Sequence, residues 1–399
     1  MSGAGKTTVA RSLMAAMVRR GLRVQPFKCG PDYIDTKFHT AVCGRPSVNL
    51  DLFMATSGHV RALYERYTED ADIAVVEGMM GLFDGYREAE GSTAEVARTL
   101  GLPVVMVVDA RSAAYSMAAL LKGFTTFWEG LEWAGVVFNR VGSDRHAQML
   151  HDVARAVGIP CLGCLPKEPS VAVGERYLGL DFSLLPIKDA APQTASLHAA
   201  CRHIAVARDA EAFSFIYQEV LDQLAECGEV TFFNPLRDEP LPPQTDFLYL
   251  PGGYPERHLP GLHAATAARE SIRRYAEAGG RVVAECGGMM YLCRSITDDS
   301  GTYTMCGVLP YDITARTADR RLHLGYRRFV LNGEEMRGHE FHYTRYAGTT
   351  PPSAADVSDA KGQRVDTPVI VQQGVLASYI HLSRMPLPAA ATTAGDATP

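Results

Sequence analysis

Two stretches of this 399-residue chain hold residue types at spacings suited to bond making. One is R-V-V-A-E-C-G-G, residues 281–288, a β-branched run that stops at Cys286 and two glycines. The pattern predicts a strand, a sharp turn and a helix from Met289 onward. A thiol at such an elbow is expected to be exposed, with its pKa lowered by the unpaired N–H groups and dipole of the helix. Thiolate and amide donors together suit attack on a carbonyl and stabilisation of the resulting oxyanion. Upstream, F-L-Y-L-P-G-G-Y-P-E ends a second strand in Gly252 and Gly253, candidate oxyanion donors beside Gly287. Downstream, A-S-Y-I-H-L places His381 at an expected strand end, as a candidate base for Cys286.

The other stretch is M-S-G-A-G-K-T-T at the start of the chain. Gly3 and Gly5 let backbone amides curl around phosphate oxygens, with Thr8 continuing the cradle. Lys6 supplies charge to the outer phosphates, and the Thr7 hydroxyl can ligate Mg2+. The following helix is expected to be amphipathic, with Val9, Leu13 and Met17 on one stripe. The full loop pattern has a small residue five positions before Gly5 and a buried strand ahead of it. The native reading frame is therefore expected to start upstream of Met1.

Acidic groups are spaced to serve the same loop. Asp32 and Asp35 follow a strand that ends near Lys28, and Glu77 ends the buried run D-I-A-V-V-E. Ligands of open α/β sheets gather outside such strand ends, so Asp32, Asp35 and Glu77 are placed to serve Mg2+ on a nucleotide phosphate, with Asp32 and Glu77 the candidate Mg2+ ligands beside Thr7. A Pro-Asp turn is the structural alternative for Asp32. Asn139 ends a later strand; its amide could read an adenine edge or cap the next helix.

These residues need a scaffold of alternating strands and helices. Short apolar runs at L-R-V-Q-P-F-K, D-I-A-V-V-E, P-V-V-M-V-V-D and A-G-V-V-F-N predict buried parallel strands, with helices over 112–127 and 144–157 between them. The cycle restarts at H-I-A-V-A-R-D-A, with strands at E-V-T-F-F, F-L-Y-L and R-V-V-A-E. The expected fold is α/β with two doubly wound domains: a phosphate-loop domain over 1–186, a linker over 187–202, a second domain over 203–385, and a disordered tail over 386–399. The net charge of −6 implies no polyanion-binding surface, and two tryptophans give no base-stacking platform, so no nucleic-acid partner is expected. Nine scattered cysteines suit a reducing cytoplasm, and no apolar run spans a bilayer. C-L-G-C (Cys161, Cys164) reads as a packed thiol pair, and His339, Glu340 and His342 as structural or substrate-contacting rather than metal-binding.

Taken in order, G-K-T-T, R-G-L-R-V-Q-P-F-K-C-G-P-D-Y-I-D, N-L-D, V-V-E-G-M-M-G-L-F-D-G, Y-L-P-G-G-Y-P-E, A-E-C-G-G-M-M-Y-L and G-H-E-F-H-Y resemble cobyrinic acid a,c-diamide synthases over nearly the whole chain. The resemblance implies a P-loop domain like dethiobiotin synthetase followed by a class I type glutamine amidotransferase domain. It implies ATP and Mg2+, L-glutamine as nitrogen donor, and cobyrinic acid as the substrate amidated at its a and c carboxylates. Hydrogenobyrinic acid and nickel sirohydrochlorin are alternative rings, and a homodimer is a candidate assembly. By resemblance Cys286 is the glutaminase nucleophile, His381 its activator, Lys6 and Thr7 the phosphate and Mg2+ contacts, and Asp32, Asp35 and Glu77 the synthetase carboxylates, with Asp32 and Asp35 the candidate substrate contacts. One departure stands at H-L-S, where relatives commonly read H-L-H. Ser383 can hydrogen-bond but cannot offset an imidazolium charge as a carboxylate would. The implied pairing of two reactions also predicts a shielded ammonia path. A rival reading, a partitioning-type switch ATPase with an inactive glutaminase-like module, is opposed by Met1 standing where such ATPases carry lysine, and by the intact Cys286 and His381.

Overall fold

Each apolar run marked in the sequence forms a strand. The computed structural model describes residues 2–166 and 203–386, and the strands of the first part of the chain are Val24–Cys29 (β1), Val48–Leu50 (β2), Ile73–Glu77 (β3), Val104–Asp109 (β4), Trp133–Val141 (β5) and Cys161–Pro166 (β6), of which β2 and β6 were not marked in the sequence. The chain divides into two compact units, Met1–Ala190 and Ala191–Pro399. The expected linker, and the expected tail beyond Pro386, lie outside the described residues.

In the first unit all strand pairs are parallel and form two three-stranded sheets, ordered β2–β1–β3 and β4–β5–β6. Every position of β1 is buried, as an interior parallel strand requires. Phe27, Leu50, Val60 and Tyr67 pack one core; Val136, Phe138, Leu121 and Leu150 pack another. The helix after the phosphate loop is Lys6–Arg19 (α1), but its buried residue is Met14, while Leu13 is 42% exposed. The stripe is thus rotated by about one residue from the expected Val9–Leu13–Met17 line. The helix expected over 112–127 begins only at Met117, and Ser112, with a left-handed φ of 53°, lies outside it. Asp144–Val157 forms as expected, capped by the Ser143 hydroxyl and ended by left-handed Gly158. Cys161 and Cys164 pair with Val136 and Phe138, because Leu162 is an extra residue in β6. That bulge turns the two thiols to one face, packed against the second core.

The second unit is built on His203–Ala207 (β7), Glu229–Phe233 (β8), Phe247–Leu250 (β9) and Arg281–Glu285 (β10). They join two later strands in a six-stranded sheet ordered Val369–Gln372, Val375–Ser378, β10, β9, β7, β8. Only the edge strand Val369–Gln372 runs antiparallel. A separate antiparallel sheet joins His323–Leu331, Glu334–His342 and Ile380–Leu382.

The turn after β10 enters the helix Gly287–Leu292, two residues earlier than the glycines suggested, and all six of its residues are buried. A Cβ on Gly288 would fall on the Leu250 carbonyl oxygen, far inside contact distance. Backbone atoms cannot yield there as a flexible side chain could. Gly288→Ala is therefore expected to destabilise the second unit by about 1–3 kcal/mol, read as a lower thermal midpoint; an unchanged midpoint would show that the helix does not sit this close to β9.

Candidate active sites

In the first unit the loop turns at Gly5 (φ 91°) into α1, where Lys6 and Thr7 are the first two residues. Lys6 Nζ donates to Met80 O at 2.7 Å, so the loop lies against the segment that follows β3. The Thr7 hydroxyl donates to Glu77 Oε1 at 2.6 Å and lies 3.5 Å from Asp35 Oδ2. Three of the expected residues thus converge. Asp32 takes a different position. Its Oδ1 accepts the N–H groups of Ile34 and Asp35, the turn chemistry weighed as its alternative, and its other oxygen is 3.9 Å from Lys28 Nζ. Asn139 does not cap the next helix, whose cap is Ser143. Its amide donates to Ala4 O at 2.9 Å, and neighbouring Arg140 donates to Gly3 O at 2.7 Å and Asp109 at 2.6 Å. Both residues brace the phosphate loop from β5.

Lys28 and His39, which the sequence reading did not single out, complete this cluster. Lys28 is 1% exposed and its ammonium contacts Asp35 at 2.5 Å and Glu77 at 3.0 Å. His39 lies on the helix Ile34–Cys43 (α2), and its Nε2 sits 2.6 Å from Glu77 Oε2. Burial alone would raise the Glu77 pKa, but His39, Lys28 and Thr7 together hold it down to about 2. For Asp35, burial and the neighbouring carboxylates outweigh Lys28 and shift the pKa upward. The signal for Lys28 was available: a charge ending a fully buried strand has the same logic as Glu77.

In the second unit Cys286 has φ 44° and ψ −106°, a strained backbone for a residue with a side chain. Its N–H donates to Ser378 O at 2.7 Å, which ties the turn to the adjoining strand. The expected exposure is not found. Cys286 is 3% exposed, and burial, with Glu256 nearby, pushes the thiol pKa well above its ordinary value, although the Gly287 N–H pulls the other way. Burial and the nearby carboxylates outweigh a six-residue helix.

The three glycines stand together. A Cβ on Gly287 would meet Gly253 N at 3.0 Å, and one on Gly252 would strike the His381 ring. The Gly252 carbonyl is held by the N–H groups of Ser214 and Phe215, both at 2.9 Å. His381 is the middle residue of its strand rather than its end, and fully buried. Burial, then His339 and His342, lower its pKa well below the ordinary value, so the ring is a neutral base. His339 stacks on it with centroids 5.1 Å apart, and the Tyr217 hydroxyl meets His339 Nδ1 at 2.9 Å. Glu340 is bonded to Arg327 at 2.6 Å, Thr367 at 2.7 Å and His342 at 2.7 Å. His323, Glu340 and His342 could face one metal ion, but Arg327 already occupies Glu340 with a cation, which favours the structural reading. His151, Cys161 and Cys164 form the other such group among the described residues. No helix among the described residues is long and apolar enough to cross a membrane.

Residues 203–385 match the family of CobB/CobQ-like glutamine amidotransferase domains, and residues 1–177 match the CobQ/CobB/MinD/ParA nucleotide binding domain. The chain is 38% identical over 418 residues to the hydrogenobyrinate a,c-diamide synthase of Rhizobium meliloti, covering 96% of each chain. Enzymes of the same name from Brucella suis and Rhodobacter capsulatus are each 38% identical, again over 96% of both chains.

Glu77 yields a test of the first cluster. A carboxylate whose folded pKa is depressed contributes stability above its ordinary value of 4.5, and loses it as pH falls toward about 2. Acid unfolding should therefore steepen in that window. Glu77→Gln should flatten it and lower stability at neutral pH; identical acid profiles for parent and variant would place Glu77 outside the network.

Proposed function

The chain belongs to the a,c-diamide synthase family of glutamine-using, ATP-dependent ligases of cobalamin biosynthesis, and from that membership we propose how its residues divide the work. The observation that carries the reading is Cys286 held at a strained turn, beside a glycine cluster in which Gly252 presses against the His381 ring.

Glutamine binds in the second unit. His381 takes the Cys286 proton as sulfur attacks the side-chain amide carbon, and the oxyanion is met by amides of Gly252, Gly253 and Gly287. The imidazolium returns the proton to the departing nitrogen, ammonia leaves, and water then hydrolyses the thioester to glutamate. A raised thiol pKa favours this order, with the proton moving as attack occurs instead of a standing thiolate. In the first unit a substrate carboxylate attacks the γ-phosphate of ATP, releasing ADP and leaving an acyl phosphate. Ammonia displaces phosphate to give the amide. Each amide consumes one glutamine and one ATP.

The amides of Gly3, Gly5 and Thr8 with Lys6 hold the phosphates, and Asn139 keeps the loop in shape. The oxygen set of Thr7, Glu77 and Asp35 suits Mg2+, a hard cation, and Asp35 replaces Asp32 as the nearer carboxylate. Bound there, Mg2+ would neutralise phosphate charge. Asp32, which caps α2, keeps a substrate-facing role with Asp35. Lys28 holds the carboxylates together when no cation does.

The ring substrate follows from the relatives. All those reported above act by name on hydrogenobyrinate, the metal-free ring. We place this chain with them, with cobyrinic acid as the second candidate. Mass spectrometry with each ring, ATP and glutamine should show two amidations, faster on the metal-free ring; preference for the cobalt ring would reverse the assignment. Cys286→Ala should abolish glutamine-driven amidation and leave ammonia-driven amidation near parental rates. Lys6→Ala should abolish both; ammonia-driven product from Lys6→Ala would contradict the phosphate role.

A further inference from the structure

His381 needs a partner that fixes its ring and offsets the charge it gains during turnover. Ser383, the residue two positions on, carries no charge to offset an imidazolium and bonds to the neighbouring strand. The Ser383 hydroxyl and N–H both donate to Arg337 O at 3.1 Å, across to the neighbouring strand.

A carboxylate reaches His381 from elsewhere. Glu285 ends β10, immediately before Cys286, and its Oε2 lies 3.9 Å from His381 Nδ1. The two side chains are 3% and 0% exposed. Two donors from different elements aim the carboxyl group. Its Oε1 accepts the Leu382 N–H at 3.0 Å, and its Oε2 accepts the Tyr249 hydroxyl at 2.8 Å. The first of these donors is the residue next to His381, so one side chain fixes both the base and the strand that carries it.

We propose that Glu285 is the positioning residue for His381: it orients the ring through Nδ1 and stabilises the imidazolium formed when Cys286 gives up its proton. The proposal rests on the glutaminase reading above and deepens it. The proton moves from Cys286 sulfur to His381 and on to the leaving ammonia; Glu285 neither bonds to substrate nor keeps that proton. At 3.9 Å the pair acts as charges, and water exclusion makes that interaction strong. Two buried charges that would each be costly alone compensate one another as a pair.

Other ionisable groups face the same ring. His339 and His342 stand on the adjoining strand, and both oppose a charge on His381. Glu256 and Glu340 act on Cys286 from other elements. Burial raises the Glu285 carboxyl to about 8, with the Leu382 amide and Tyr249 pulling it back. Protonated Glu285 cannot offset an imidazolium, so glutaminase turnover gains from its ionisation as pH rises toward 8.

Glu285→Gln keeps an acceptor for Leu382 and the shape of the side chain while removing the charge. In the full-length enzyme the expected result is a kcat for glutamine hydrolysis lower by roughly 10- to 1000-fold. KM should change little, the rise toward pH 8 should be lost, and ammonia-driven amidation should persist. Glu285→Asp, which restores the charge at shorter reach, should recover part of kcat. Parental kcat and pH profile in Glu285→Gln would overturn the proposal. So would equal losses in both variants accompanied by loss of ammonia-driven amidation, since that pattern marks a purely structural role. A parent enzyme without glutaminase activity, or a Cys286→Ala variant that retains it, would instead overturn the underlying reading and the proposal with it.

Discussion

The second unit depends on the left-handed turn at Cys286. A residue with a side chain sits at φ 44° only when its surroundings over-determine it. Here the constraints are visible. The Cys286 N–H is bonded to Ser378, its carbonyl accepts from Met290, and Gly288 lets the following helix press on Leu250. The turn brings sulfur, amides and the glycine pair after β9 to the same end of a parallel sheet, where such folds gather ligands. The cost is that the thiol is buried with a raised pKa, so it cannot wait as a thiolate. The proposed attack therefore calls for a base that is also buried and neutral, and His381 has those properties.

The first unit solves the opposite problem, which is to keep charges together. Asp35, Glu77 and Lys28 would each be expensive to bury singly, and His39 adds a further partner to Glu77. Joined within 2.5–3.0 Å contacts they satisfy one another and present oxygen atoms to the Thr7 hydroxyl at the start of α1. The phosphate loop is held from two sides, by the Met80 carbonyl through Lys6 and by Asn139 and Arg140 through the loop carbonyls. A cluster that is neutralised internally can open toward a cation and phosphates without leaving an uncompensated buried charge.

Much of this was legible in the sequence because it depends on local patterns. β8, β9 and β10 have the bounds their apolar runs suggested, and the 144–157 helix carries its cap and its terminating glycine in plain view. Charges at strand ends marked Glu77, and glycines after strands marked Gly252, Gly253 and Gly287. What was not legible depends on the third dimension. Exposure of Cys286 was misjudged because local turn chemistry cannot report what packs over a turn. The α1 stripe was misplaced because Met14 and Leu13 are equally apolar and only the packed neighbours choose between them. The sequence could not tell that Asp35 would lie beside Thr7 while Asp32 accepts the first N–H groups of α2. Glu285 was passed over because it lies 96 positions from His381 in a chain that brings the two within 3.9 Å.

The central claim is that sulfur 286 releases the nitrogen that the nucleotide-driven half of the enzyme then fixes. A diazoketone analogue of glutamine, which alkylates a nucleophile that recognises the glutamine side chain, measures this directly. Peptide mass spectrometry of the treated enzyme should find a single adduct on Cys286, with glutamine-driven amidation lost and ammonia-driven amidation intact. An adduct on another residue, or loss of both reactions together, would contradict the account.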